Sequence, residues 1–222
     1  EKIMKKIMMA VLFAAFGATA AMAQSAAGEV YLKPMAGGTL TTLTKADNSK
    51  MKLGFVGGGE LGYQITEQFA VTAGALFTMQ GTGLKDADNV KDAKLDLTYM
   101  NVPVMVNYYV APGLAIKAGV QPGFLLTAKY KATTFEGEES REVKADYDLK
   151  DAMKKFDFSI PVGISYEFDD FVIDARYIFG LSKVAKEAGT TVSFSETGHT
   201  ELDNSSSRNS VIMLTFGYKI PL

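Results

Sequence analysis

The single histidine, His199, is the first residue whose type suggests catalysis. It stands beside Glu201 and near Ser195 and residues 205–207, which are the residue types of a hydrolytic triad. In such a triad the histidine takes the proton of the serine hydroxyl and a carboxylate orients the histidine. Here they share one polar stretch rich in Ser, Thr and Gly. We therefore expect a solvated loop and assign no catalytic residue.

Two acidic clusters are the next candidates, because carboxylate oxygens bind calcium. They are Asp86, Asp88, Asn89 and Asp92, and then Asp146, Asp148 and Asp151. A calcium loop needs several converging oxygens and usually a glycine at its turn. Neither cluster has that glycine, and lysines interrupt both. We expect solvated charge and no metal.

A glycine triplet and the lack of cysteine exclude further chemistry. The triplet, residues 57–59, is followed by the strand-like Glu60 and Leu61, whereas a phosphate loop continues into a helix with a Lys-Ser/Thr pair. Without cysteine there are no disulfides, thiolate metal sites or cysteine nucleophiles. The net charge of -2 shows no nucleic-acid footprint. We expect no cofactor and no nucleic-acid partner.

Eight charged residues alternate with apolar ones and must be positioned by the strands that carry them. The cations are Lys33, Lys117, Arg176 and Lys219, and the anions are Glu60, Asp157, Glu167 and Asp174. If the strands form a barrel, this spacing places all eight inside it. Unpaired interior charges would cost several kcal/mol each. The balance of four against four predicts a paired network that closes the lumen.

The first residues predict an export signal rather than part of the fold. Lys2, Lys5 and Lys6 precede an apolar run over 7–16, and Ala21-Met22-Ala23 forms a small-x-small cleavage site. A membrane-spanning helix would need about 20 apolar residues. We predict a signal peptide over residues 1–23 and a single mature domain over residues 24–222.

Period-2 alternation of apolar and polar residues dominates the mature part and predicts eight strands. They span roughly 29–40, 51–64, 68–80, 96–110, 113–129, 155–168, 171–183 and 209–222. Tight turns alternate with polar loops at 41–50, 81–95, 130–154 and 184–208. Short turns on one side and long loops on the other are typical of up-and-down barrels in outer membranes.

The faces of these strands indicate what surrounds the barrel. In the strand over 155–168, Phe158, Ile160 and Val162 share one face, while Ser159, Pro161 and Gly163 share the other. A soluble exterior normally carries many Lys and Glu. Small residues instead suit the narrow interior of an eight-stranded barrel. The sequence therefore predicts an all-β, eight-stranded antiparallel transmembrane barrel of the bacterial outer membrane, with a soluble lipocalin-like barrel as the alternative.

Several segments together resemble a known family. They are 97–104 (LTYMNVPV), 119–126 (GVQPGFLL), 157–163 (DFSIPVG), 174–181 (DARYIFGL) and 216–220 (FGYKI). Their order and spacing resemble the outer-membrane β-barrel-domain proteins of Bacteroidetes, the porin-family or PorT-like small barrels. The resemblance implies an eight-stranded outer-membrane barrel. It transfers no catalytic residue, and the porin label does not imply an open pore.

Three functions follow from this interpretation. We predict a structural or interaction barrel with a side-chain-filled lumen, which is not an enzyme. A narrow porin-like channel for small solutes is the first alternative, and a lipid-modifying enzyme is the second. The expected partners are outer-membrane lipids. Loops 81–95, 130–154 and 184–208 suit either lipopolysaccharide, bound through divalent ions, or another protein.

Overall fold

The structure is a computed structural model that describes residues 26–44, 49–84, 90–136, 141–151, 153–184 and 207–222. Twelve strands occur in these ranges: β1 (Val30–Thr44), β2 (Ser49–Lys50), β3 (Lys52–Gln64), β4 (Phe69–Leu84), β5 (Val90–Asn101), β6 (Val104–Ala111), β7 (Leu114–Glu136), β8 (Arg141–Asp148), β9 (Phe156–Phe168), β10 (Phe171–Gly180), β11 (Arg208–Tyr218) and β12 (Ile220–Pro221). Among the same residues, no helix is long and apolar enough to cross a membrane. The predicted signal peptide, 1–23, lies outside the described residues.

The strands form one antiparallel sheet that closes on itself. Neighbours follow in the order β11, β10, β9, β7, β5, β4, β3 and β1, and β1 then pairs with β11. The closing register runs from Met35 opposite Gly217 to Thr44 opposite Arg208. In the described part of the chain this gives eight positions around the barrel, occupied by consecutive strands joined up and down. The predicted eight-stranded barrel is confirmed.

The strand predicted over 96–110 is two strands, and the prediction of one continuous strand was wrong. β5 ends at Asn101 and β6 begins at Val104, and β4 pairs with both. Pro103 lies in the gap and has no N–H to give to a neighbouring strand. Its carbonyl still accepts a hydrogen bond from the Gly74 amide at 3.0 Å. The proline therefore interrupts the hydrogen-bond ladder, but β5 and β6 still occupy the same position around the barrel.

The predicted loops 41–50, 81–95 and 130–154 are largely strand, which corrects their sequence interpretation. β4 continues to Leu84, β5 begins at Val90, and β7 pairs with β8 from Lys129 opposite Asp148 to Glu136 opposite Arg141. These hairpins extend the wall beyond its apolar part. There apolar residues such as Leu95 and Tyr130 face inward and lysines such as Lys94 and Lys129 face outward, so the outward apolar stripe that marks the strands in the sequence has ended. Most of the loop over 184–208 lies outside the described residues.

The outer face of the wall carries an apolar belt. Leu53, Phe55, Leu61 and Tyr63 of β3 are exposed on it. Leu53 and Tyr63 are ten residues apart. At about 3.3 Å per residue and a tilt of about 40°, they lie roughly 25 Å apart along the barrel axis, the height of the lipid-facing band of outer-membrane barrels.

Aromatic side chains occupy both edges of the belt. Near the tight turns, the ring of Phe69 packs on that of Tyr108 at 4.9 Å, and Phe171 packs on Tyr218 at 5.1 Å between centroids. Near the hairpins, Tyr177 packs on Phe179 at 4.4 Å. Amphipathic rings favour the headgroup level of a membrane. Since the chain has no Trp, Tyr and Phe take this role.

Candidate functional site

The centre of the lumen holds a buried ion network built around Arg176. Its Nη1 donates to Oε1 of Glu60 at 2.6 Å, and its Nε and Nη2 donate to the two carboxylate oxygens of Asp174 at 2.7 and 2.8 Å. The two-pronged contact with Asp174 is the strong bidentate form of an arginine–carboxylate pair. Arg176 thus joins β10 to β3 across the lumen.

Two lysines complete this central network. Nζ of Lys33 lies 2.9 Å from Oε2 of Glu60 and 3.8 Å from Oδ2 of Asp174, and Nζ of Lys117 donates to the same Oδ2 atom. All five side chains are in residues no more than 3 % exposed. Three cations face two anions, so the network carries one net positive charge.

Inward-facing strand positions and two glycines make room for the network. Gly74 of β4 lies opposite Glu60 of β3, and Gly163 of β9 lies opposite Arg176 of β10. A Cβ on Gly74 would stand 2.6 Å from Cγ of Glu60, and one on Gly163 would stand 3.1 Å from Cγ of Arg176. Any side chain at these positions would push the charged groups out of place, because the lumen of an eight-stranded barrel is just filled.

A second, smaller pair lies at the tight-turn end of the lumen. Nζ of Lys219 donates to Oε2 of Glu167 at 2.7 Å, and the hydroxyl of Tyr109 donates to Oε1 at 2.7 Å. The Lys219 ammonium also lies 4.2 Å from the ring centroid of Tyr31, a favourable cation–π distance. The predicted residues Glu167 and Lys219 therefore pair with each other, apart from the central network.

The remaining predicted residue, Asp157, joins neither group. It is buried towards the hairpin end of the lumen, where its polar neighbours are Tyr99 and Asn209. No cation pairs with it among the side chains that the structure describes. Alternation in the sequence assigns a residue to the inner face but gives no height along the barrel. The equal numbers of predicted cations and anions therefore could not show that Asp157 lies apart from the cations.

Other lumen residues were missed by the sequence argument. Tyr31 and Tyr109 are buried and face inward. Alternation could have predicted this orientation, because Tyr31 adjoins Leu32 and Tyr109 adjoins Tyr108, and both of these neighbours face outward. Asn101 donates to the Thr78 hydroxyl at 2.6 Å, one of several uncharged polar contacts that the charge pattern could not reveal.

Apolar layers fill the lumen on the hairpin side of the network. The nearer layer comprises Met35, Val56, Leu76, Ile178, Val211 and Met213. The farther layer comprises Leu43, Leu95, Leu97, Tyr99, Leu125, Ala128, Met153 and Val184. Met153 and Val184 come from segments after β8 and β10, which are joined by a 2.9 Å hydrogen bond from the Lys154 amide to the Val184 carbonyl. The described side chains thus close the lumen above its charges.

A further ion cluster lies outside the barrel, on the wall beyond the belt. The carboxylate of Asp96 contacts Nζ of Lys52 at 2.6 Å and Nζ of Lys131 at 3.2 Å. Partial burial opposes ionisation of Asp96, but hydrogen bonds and the charges of these two lysines hold its pKa below the usual range. Asp96 is therefore an anion at neutral pH, and it holds two cations on this outer surface.

The residues considered for catalysis and metal binding gain no site here. His199, Ser195, Glu201 and the serines at 205 and 206 lie outside the described residues, as do Asp86, Asp88 and Asn89. Within the described part of the chain, no group of His, Cys, Asp or Glu is arranged to hold a metal ion. The central network, in which Glu60 and Asp174 both face cations, is suited to bracing the wall.

Three solved structures are among those that are similar to this chain. Ail, the attachment invasion locus protein of Yersinia pestis, is 16 % identical over 87 % of this chain and 99 % of that chain, with a TM-score of 0.47. Neisserial surface protein A is 12 % identical over 87 % of this chain and 97 % of that chain (TM-score 0.43). The N-terminal barrel domain of Pseudomonas aeruginosa OprF is 13 % identical over 88 % of this chain and 100 % of that chain (TM-score 0.36).

Sequence comparisons identify the family. A search of curated proteins finds no match. The family described as "Outer membrane protein beta-barrel domain" matches residues 17–186, more than half of the chain. The closed barrel and its exposed apolar belt agree with that description and exclude the lipocalin-like alternative. The chain therefore belongs to the outer membrane protein β-barrel domain family, and it is a small barrel of the bacterial outer membrane.

Proposed function

We propose that this barrel is a closed-lumen scaffold that presents its hairpins to partners at the cell surface. The observation that carries the proposal is the central network, which joins β1, β3, β7 and β10 across the lumen. The finer assignment to the PorT-like barrels of Bacteroidetes stays a prediction from resemblance.

The energetics of the lumen support closure. A solute crossing the barrel would have to separate the buried salt bridges of the central network. Separating a buried ion pair costs several kcal/mol, because each charge is left without a partner in a low-dielectric interior. It would also have to part the apolar layers that begin at Met35 and Leu43. A narrow channel needs a continuous polar path, and these layers oppose one.

The hairpins support the interaction half of the proposal. β7 and β8 pair over eight residue pairs, beyond the part of β7 that pairs with β9. Paired strands that extend from a membrane barrel belong to its scaffold, and binding resides preferentially on the connecting segments of such a scaffold. The proposed partners remain lipopolysaccharide or another surface protein.

One variant tests both halves of the proposal. Replacing residues 132–147 with a tight turn removes the top of the β7–β8 hairpin and leaves the lumen residues in place. We expect no stable conductance in planar bilayers for either protein, and loss of cross-linked surface partners in the variant only. Discrete conductance steps in the native barrel, altered when Arg176 or Lys219 is replaced, would establish the channel alternative instead.

We also propose that the barrel has no catalytic role. The His199→Ala variant is expected to leave the lipid composition of the outer membrane unchanged, because the serines and Glu201 near this residue share one polar stretch. The measurement compares extracted lipids of cells carrying the native protein, the variant or neither. A lipid species that depends on the native protein and disappears with His199→Ala would show hydrolase activity.

A further inference from the structure

Five lysines gather on one outer surface of the wall, which we call the lysine patch: Lys50, Lys52, Lys94, Lys129 and Lys131. The register brings them together from strands far apart in sequence. Lys50 and Lys94 both lie opposite Gly83, and Lys94 also lies opposite Lys131. In the next row, Asp96 lies opposite Gly81 and Lys129. Residues directly opposite in an antiparallel sheet share a face.

The burial pattern shows that this face is the outer one. Leu95 and Leu97 of β5 are buried in the lumen layer, so Lys94 and Asp96 between and beside them point outward. On β7, Tyr130 is buried, and its neighbours Lys129 and Lys131 take the opposite face. Alternate side chains of a strand point to opposite faces.

The lysine patch begins where the apolar belt ends. On β3, Lys52 adjoins the exposed Leu53, and its ammonium reaches the carboxylate of the outward Asp96 at 2.6 Å. On β4, Met79 is the last exposed apolar residue before the two glycines that face the lysines. On β7, Phe124 belongs to the belt and Lys129 follows within the same strand. At the hairpin end of the belt, β3 and β7 thus change from apolar residues to lysines, and β4 changes from apolar residues to glycines.

The patch keeps a positive excess after its acids are counted. Asp96 bridges Lys52 and Lys131, and Asp148 lies opposite Lys129. Asp146 lies opposite Lys131 in the register. Counted by register position, five lysines against three aspartates leave two net positive charges around Gly81 and Gly83. Because glycine has no side chain, the surface at Gly81 and Gly83 is recessed between the lysines.

We propose that the lysine patch binds the phosphate groups of the phosphorylated glycolipid in the outer leaflet. Lysine is a common phosphate ligand and acts as a point charge, and cations at headgroup height bind anionic lipids. Because the patch adjoins Leu53 and Met79, one lipid molecule can place acyl chains on the belt and phosphates on the lysines. This site lies on the strands of the wall, and it does not depend on a closed lumen or on the hairpin tips.

The test compares two double variants of the full chain, refolded in a zwitterionic detergent. Lys94→Gln with Lys129→Gln removes two charges from the patch. The matched control, Lys155→Gln with Lys183→Gln, removes two exposed charges elsewhere. Binding of fluorescent lipid A carrying both phosphates is followed by anisotropy, beside dephosphorylated lipid A, phosphatidylglycerol and inorganic phosphate. Heat-dependent electrophoretic mobility verifies that each variant is folded.

We expect the patch variant to bind phosphorylated lipid A at least about tenfold more weakly, since each lysine near an anionic surface contributes about fivefold. The control variant should bind as the native protein does, and dephosphorylated lipid A should bind weakly to all three. The proposal is overturned if both double variants lose affinity equally. It is also overturned if phosphatidylglycerol or inorganic phosphate binds the patch as tightly as lipid A does.

Discussion

Replacing Asp174 with asparagine is expected to lower the free energy of unfolding of the barrel by about 3–5 kcal/mol, the usual cost of breaking a buried ion pair from one side. Asp174 accepts two hydrogen bonds from Arg176 and one from Lys117, and Lys33 lies 3.8 Å away. The variant keeps the shape of the side chain and removes its charge. Three buried cations would then face the single carboxylate of Glu60.

The effect should follow charge balance rather than the loss of one contact. Adding Lys117→Met to Asp174→Asn restores the net charge of the native network, so we expect most of the lost stability to return. Glu167→Gln, in the partly exposed pair with Lys219, should cost less. Urea unfolding in lipid vesicles, followed by circular dichroism and gel mobility, measures all four proteins. If Lys117→Met makes Asp174→Asn less stable still, the network does not behave as described.

Arginine at position 214 is the second large effect, expected to cost about 2–4 kcal/mol. Leu214 lies near the middle of β11 on the outer face and is 52 % exposed, so its side chain meets hydrocarbon rather than water. A guanidinium there loses its hydration, and it lies too far from either belt edge to recover it cheaply. Unfolding in vesicles of outer-membrane-like thickness gives the measurement.

The matched control for this substitution is Met51→Arg. Met51 is as exposed as Leu214, at 55 %, but stands between Lys50 and Lys52 at the edge of the belt. Arginine at the interface costs only about 0–1 kcal/mol. Equal losses of stability for the two variants would mean that position 214 is not surrounded by lipid, and the orientation of the wall in the membrane would have to be revised.

The faces of the strands were predictable from the sequence because lipid and lumen impose opposite demands on alternate residues. The segment that became β9 shows this, with Phe158 outward and Ser159 inward as predicted. The same alternation assigned Arg176, Asp174 and Glu60 to the interior before any contact was known. Two-residue periodicity therefore predicts both the strands of the barrel and which of their residues face the lumen.

Strand length and height were not predictable, since both depend on information that alternation lacks. Beyond the belt, water surrounds the outer face of the wall. Lys129 and Lys131 are therefore as favourable on that face as apolar residues are on the lipid-facing part of the belt. The sequence of β7 therefore resembles a loop where it is still paired. Height depends on the tilt and register of every neighbour, and this is why Asp157 was grouped with cations that it does not reach.

The seam between β1 and β11 joins residues that are among the most distant in the chain, such as Met35 and Gly217. Until β11 arrives, every earlier strand arrangement has two open edges, each with unpaired amide and carbonyl groups that invite aggregation. The polypeptide must therefore be protected from its own copies from the moment β1 emerges. Its final hydrogen-bond ladder forms only when the last strand meets the first, so shortening β11 would undo the whole cylinder rather than one edge of it.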